Sequence, residues 1–147
     1  DFEGAEQTAM ASLDFDPDQP GVFILLGTIN NKTGHLDRAV NHFSKAIELA
    51  PDDLHGYLEL GKTYQNRRDY MKALQTYQRA MIAKPVDYRP YYQAGLVLRE
   101  TKNYAEAESM LRKAVDLNPQ DVNIRRQLGA IVALNLVHNT EEARVAQ

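Results

Sequence analysis

The sequence contains no cysteine and no tryptophan. The first absence excludes disulfides, thiolate metal sites and cysteine nucleophiles, and says nothing about redox compartment. No stretch approaches the run of about 18 apolar residues that a membrane-spanning helix requires. The N-terminus has neither the basic opening nor the apolar core of a secretory signal. A strong excess of charge of either sign is missing as well. The 17 Lys and Arg stand against 20 Asp and Glu, a net charge of −3, so no basic field points to nucleic acid or to an anionic membrane. Catalytic signatures are also missing: there is no serine elbow, no Gly-rich dinucleotide turn and no carboxylate pair in a recognisable setting. The histidines His35, His42, His55 and His138 include no i,i+4 pair, so no zinc helix is expected. The sequence therefore predicts no catalytic residue, no cofactor and no metal site. The chain opens on Asp1, which points to a processed or excised segment; the compartment stays open, with the cytoplasm as the default expectation.

Glycine and proline are sparse, at 8 and 6 residues, and most of them fall in one register. Gly27, Gly61, Gly95 and Gly129 stand 34 residues apart, and so do Pro17, Pro51, Pro85 and Pro119. Ala5, Ala39, Ala73 and Ala107 keep the same step, as do Ala46, Ala80 and Ala114. Six in-register repeats of two rare residues have a chance of about 10⁻⁸, so the period is real and predicts stacked supersecondary units. A glycine inside a helix costs roughly 0.5–1 kcal/mol relative to alanine. Close approach of a paired second helix would offset that, with Ala39, Ala73 and Ala107 as its small partners.

The order aromatic-x2-Leu-Gly-x2-Tyr, Ala-x3-aromatic and Pro resembles the tetratricopeptide repeat. Tyr57, Leu60, Gly61, Tyr64, Ala73, Tyr77, Ala80 and Pro85 carry it most completely. Phe23, Leu26, Gly27, Ala39, Phe43, Ala46 and Pro51 carry it before them, and Tyr91, Ala94, Gly95, Leu98, Ala107, Leu111, Ala114 and Pro119 after. The resemblance implies an all-α solenoid, a right-handed superhelix of antiparallel helix pairs with a 34-residue period. It specifies fold and leaves function broad, since such repeats serve scaffolds, adaptors and regulatory domains alike.

In chain order, residues 1–19 read as the second helix of a partial repeat, and more repeats are expected upstream. Complete repeats follow at 20–53, 54–87 and 88–121, and 122–147 is a partial or atypical repeat, all within one domain, 1–147. The apolar spacing predicts helices over 20–31, 36–49, 54–66, 70–83, 89–101 and 104–117. Pro20 and Pro90 suit first turns, and Asp69 and Asn103 are the predicted N-caps. Asn30 replaces an aromatic at a core position and needs a hydrogen-bond partner. In the last unit Glu141 stands where an alanine is expected. A first helix to about Val137 is predicted, followed by a short second helix over 141–147.

Three local motifs are set aside on context. Gly56 to Thr63 matches the phosphate-binding G-x4-G-K-[ST] expression, but the glycine ladder puts Gly61 mid-helix, where backbone N–H groups cannot cradle phosphate. Asp14-x-Asp16-x-Asp18 opens like a calcium loop and then fails at Gln19 and Leu25. Asn31-Lys32-Thr33 is a glycosylation sequon in a predicted turn, best explained by chance.

The resemblance implies that first helices line a concave groove. Its candidate partner-binding residues are Ile24 and Thr28, then His55, Leu58, Lys62 and Gln65, then Arg89, Tyr92, Leu96 and Arg99, and lastly Arg126. They mix apolar contacts with cations, which suits a peptide or helix bearing apolar anchors and carboxylates. Ile24, Thr28 and Glu59 depart from the basic clamp by which some members of the family grip chaperone C-termini. The expected function is a non-catalytic protein-protein interaction module with no nucleic-acid or membrane partner. The alternatives are a scaffold self-assembling through its end repeats, motivated by the apolar stretch 131–137, or a regulatory segment docking a larger enzyme.

Overall fold

The computed structural model describes residues 1–147, which form eight α-helices and no strand. They are α1 (Phe2–Phe15), α2 (Pro20–Lys32), α3 (Leu36–Leu49), α4 (Leu54–Asn66), α5 (Tyr70–Ala83), α6 (Tyr88–Glu100), α7 (Tyr104–Leu117) and α8 (Val122–Val145). The chain falls into two compact units, Asp1–Pro85 and Val86–Gln147. In the first, α2 pairs with α3 and α4 with α5, α3 also packs on α4, and α1 packs on α2. In the second, α6 pairs with α7 and α7 packs on α8. Each is an all-α, solenoid-type stack whose paired helices are joined by three-residue turns.

Local chemistry sets these boundaries. The Asp53, Asp69, Asp87 and Asp121 carboxylates accept from the N–H groups of His55, Lys72, Arg89 and Asn123, which would otherwise lack partners. Asn103 stands at the N-cap of α7 as expected, but without the capping bond. Its Nδ2 donates instead to Thr101 Oγ1 at 3.1 Å. The turns closing α2, α4 and α6 share one geometry. The N–H groups of His35, Asp69 and Asn103 each reach back, at 2.8 Å, to the carbonyls of Asn30, Tyr64 and Leu98. Gly34, Arg68 and Lys102 take the left-handed conformation that this closure demands, with φ of 83°, 61° and 63°.

The paired second helix does approach these glycines closely, and its nearest atoms belong to a large side chain. A Cβ built on Gly27 would lie 2.5 Å from the Phe43 ring, one on Gly95 2.7 Å from Leu111 Cγ, and one on Gly61 would overlap the Tyr77 ring. The missing Cβ thus makes a seat for the large side chain four positions after each alanine. Ala39, Ala73 and Ala107 are fully buried on the same facing helices, and the Ala107 carbonyl lies 3.4 Å from a Cβ built on Gly95. Phe43, Tyr77 and Leu111 are fully buried, and Tyr77 keeps its phenol satisfied by donating to Gln65 Oε1 at 2.5 Å. Burial pushes that phenol well above the ordinary tyrosine value, with the Glu59 carboxylate adding to the shift.

Gly129 breaks the pattern, with nothing within 4 Å of its built Cβ. The expected break near residue 138 is absent too, because α8 runs unbroken to Val145. The reason is local. Leu136 stands one period beyond Gly34, Arg68 and Lys102, where a left-handed turn would be needed, and no Gly or Pro follows Gly129. Asn30 is buried as expected, and its Nδ2 donates to the Leu26 carbonyl at 2.7 Å, while Oδ1 finds no partner. Asn31 of the sequon lies in the last turn of α2 and not in the inter-helix turn.

Candidate partner-binding faces

In the first unit the candidate residues sit on α2 and α4, which touch each other. Ile24 reaches across to α4, its Cδ1 lying 3.7 Å from a Cβ built on Gly56. Thr28 Oγ1 donates to the Ile24 carbonyl at 2.9 Å, so that hydroxyl serves its own helix. His55 is exposed at the start of α4, while Leu58 is buried, 8% exposed, and belongs to the core. Lys62 extends toward Glu59, Nζ to Oε1 being 3.5 Å, and remains about half exposed at 49%. Gln65 is engaged by the Tyr77 hydroxyl. Lys62 and the surrounding Gly56 to Thr63 lie inside α4, with the Thr63 hydroxyl donating to the Glu59 carbonyl at 2.8 Å. A helical backbone leaves no nest for phosphate there.

In the second unit the candidates sit on α6 and α8. Arg89 forms a two-pronged pair with Asp87, Nε to Oδ1 at 3.0 Å and Nη2 to Oδ2 at 2.9 Å. Because Asp87 also caps α6, the guanidinium is held at the helix start. Tyr92 is half-buried, and its hydroxyl accepts from Asn123 Nδ2 at 2.9 Å. Arg99 donates through Nη1 to Gln127 Oε1. Leu96 is half-buried between these polar links in sequence, and Arg126 is exposed on α8. The unit therefore brings Tyr92 and Arg99 of α6 into contact with α8, through two amides that sequence reasoning did not single out. Asn123 and Gln127 are 31 and 28 residues from their partners, and no local spacing flags a pair at that distance. Nowhere do three or more His, Asp or Glu side chains converge on a point able to hold a metal ion. No helix is long and apolar enough to cross a membrane.

One tetratricopeptide repeat model matches residues 20–53, and a second matches residues 58–122. The chain belongs to the tetratricopeptide repeat family. Solved tetratricopeptide-type structures resemble it over most of its length. MamA (residue 41 to the end) from Desulfovibrio magneticus RS-1 aligns at 23% identity and a TM-score of 0.78, covering 99% of this chain and 82% of that one. A further MamA crystal structure gives 20% identity and 0.79, covering 100% and 92%. The OM64 tetratricopeptide repeat domain from Arabidopsis gives 21% and 0.70, covering 78% and 94%. At these identities the likeness establishes fold. Tetratricopeptide repeats generally act as protein-interaction and scaffold modules, and that coarse assignment applies here.

Proposed function

We propose that this chain is a non-catalytic module that binds a partner peptide or helix on the faces presented by its first helices, α2 and α4 in the first unit and α6 and α8 in the second. The repeat division into 20–53, 54–87 and 88–121, with partial units at either end, is part of that reading. The observation that carries it is the surface of the second unit. There, Tyr92 and Leu96 stand half-buried on α6 with the cations Arg89 and Arg99 on either side of them in sequence and Arg126 on α8, and Arg89 and Arg99 are already held by oxygen acceptors. The neutral amide of Gln127 leaves the Arg99 charge uncompensated and its guanidinium pre-oriented for an incoming carboxylate, whereas Arg89 would share its charge between Asp87 and the partner. The partner accordingly bears apolar and acidic residues. The net charge of −3 supports a protein partner over nucleic acid or membrane.

The test is a competition. Partners captured on the immobilised chain are displaced with the free chain, and then with its Tyr92→Ala and Arg89→Ala variants. Each variant is expected to compete about 5–10-fold less well, with helix content unchanged by circular dichroism. If both compete as well as the parent for a partner that occupies this surface, the assignment fails. A second reading, self-assembly through the end helices, is favoured by the exposed Phe2, Met10 and Phe15 of α1 and Leu136 and Val137 of α8. Light scattering over a concentration series decides it, and a constant monomer mass removes it.

A further inference from the structure

In the second unit, one face of α8 is covered by none of residues 1–147. Along α8, Val122, Arg126, Gly129, Ala133, Leu136 and Thr140 recur at intervals of four and three residues, and all six are exposed. That spacing is the seam along which one helix receives another. Gly129 lies near its centre, one 34-residue step beyond Gly95. Gly27, Gly61 and Gly95 each seat a Phe, Tyr or Leu side chain from the facing helix, whereas no atom comes within 4 Å of the corresponding point at Gly129. A glycine in mid-helix is unfavourable by itself, and here nothing within the chain offsets it. Two exposed guanidiniums, Arg126 and Arg144, bracket the seam. They lie 18 residues apart, which is five turns and returns them to the same line of the helix about 27 Å apart. Neither enters an ion pair.

We propose that α8 docks an amphipathic helix of a partner polypeptide, a Phe, Tyr or Leu side chain of which seats over Gly129 while its carboxylates reach Arg126 and Arg144. The three internal seats define the anchor, and the two unpaired cations define the charge. Helix α1 of a second copy does not fit the description, because the residue at its anchor position is Ala9, which is small and already buried. The proposal rests on reading the chain as an interaction module and names a second surface on it. Arg126 is shared with the partner-binding face, but Gly129 and Arg144 belong to the seam alone, so their variants separate failure of this proposal from failure of that reading.

The probe is a fluorescein-labelled peptide with the sequence of residues 103–118, which offers Leu111 as anchor and Glu106, Glu108 and Asp116 as acids. Anisotropy titration against the whole chain is expected to give a Kd of about 10–100 μM. Gly129→Ala, which nothing in the fold opposes, is expected to weaken binding at least ~5-fold, and Arg144→Glu by a similar factor. A peptide with Leu111→Ala is expected to bind at least ~10-fold less tightly. No binding at 1 mM of the parent peptide, or an affinity indifferent to both Gly129→Ala and Arg144→Glu, overturns the proposal. So does a dimer in sedimentation equilibrium that Gly129→Ala dissociates, since the seam would then belong to a second copy.

Discussion

Gly61 and Gly129 occupy equivalent places in the period and face opposite conditions, so the same substitution acts in opposite senses on them. Gly61→Ala pushes a methyl group into the Tyr77 ring, which is fully buried and cannot retreat. Overpacking of that kind is expected to lower stability by about 1–3 kcal/mol. Gly129→Ala meets open space and gains helix propensity, so it is expected to raise stability by up to about 1 kcal/mol. Chemical denaturation of the two variants beside the parent checks both signs. Arg68 is a third case, an L-residue with a side chain held at φ 61° where the first repeat has Gly34. Arg68→Gly relieves that strain and loses some of the gain to a freer unfolded chain, with a net stabilisation below about 1 kcal/mol expected. At this scale the sequence showed where the small residues fall, because their period is directly visible. It did not show what fills the space beside them. Alanine and the bulky residue four positions later lie on one helix face, and only packing decides which of the two comes nearest the glycine.

Helices were legible almost to the residue wherever a turn residue or a capping carboxylate marked an end, as at Pro20 and Asp69. They were misread in α8, where the signal was an absence: Leu136 in place of a left-handed turn residue lets the helix continue. Contacts between helices were not legible, and two of them carry pH dependence. His42 of α3 lies with its ring 6.1 Å from that of Phe23 of α2. Burial lowers its pKa from the usual 6.5, Glu6 opposing the shift and Arg38 adding to it. The unfolded chain therefore takes up a proton that the folded chain resists, so stability held above pH 6.5 declines as pH falls toward the lowered value. His42→Phe is expected to flatten the dependence of Tm on pH between about 7 and 5. On α7, Glu108 accepts from Asn135 of α8 at 2.9 Å and from Arg112 at 2.7 Å. Both bonds favour the carboxylate and hold its pKa below 4.5, the Asn135 bond more strongly. That contribution is present above pH 4.5 and fades on further acidification. Asn135→Ala is expected to remove its largest single part, seen as a smaller acid-induced drop in Tm for the variant than for the parent.

For the molecule as a whole, the family and its all-α architecture followed from seven or eight residues recurring at one interval, since a recurring unit must bury its apolar side against its neighbours. The binding residues were less accessible, because a position on a first helix does not reveal whether its side chain is free. Leu58 sits in the core and Gln65 serves the Tyr77 hydroxyl. Asn123 and Gln127, which steady Tyr92 and Arg99, come from a different helix of the same unit. One such turn as that at Arg68 is found in the first unit and another, at Lys102, in the second, and each is pinned by a 2.8 Å backbone bond from the next residue's N–H. Trypsin cleaves after Arg and Lys but needs several residues in extended form, which these tight loops deny while their helices hold. Both sites are therefore silent in the native state and open to cutting once the flanking helices melt, so fragment ends at 68 and 102 act as built-in clocks that time the loosening of each half by itself.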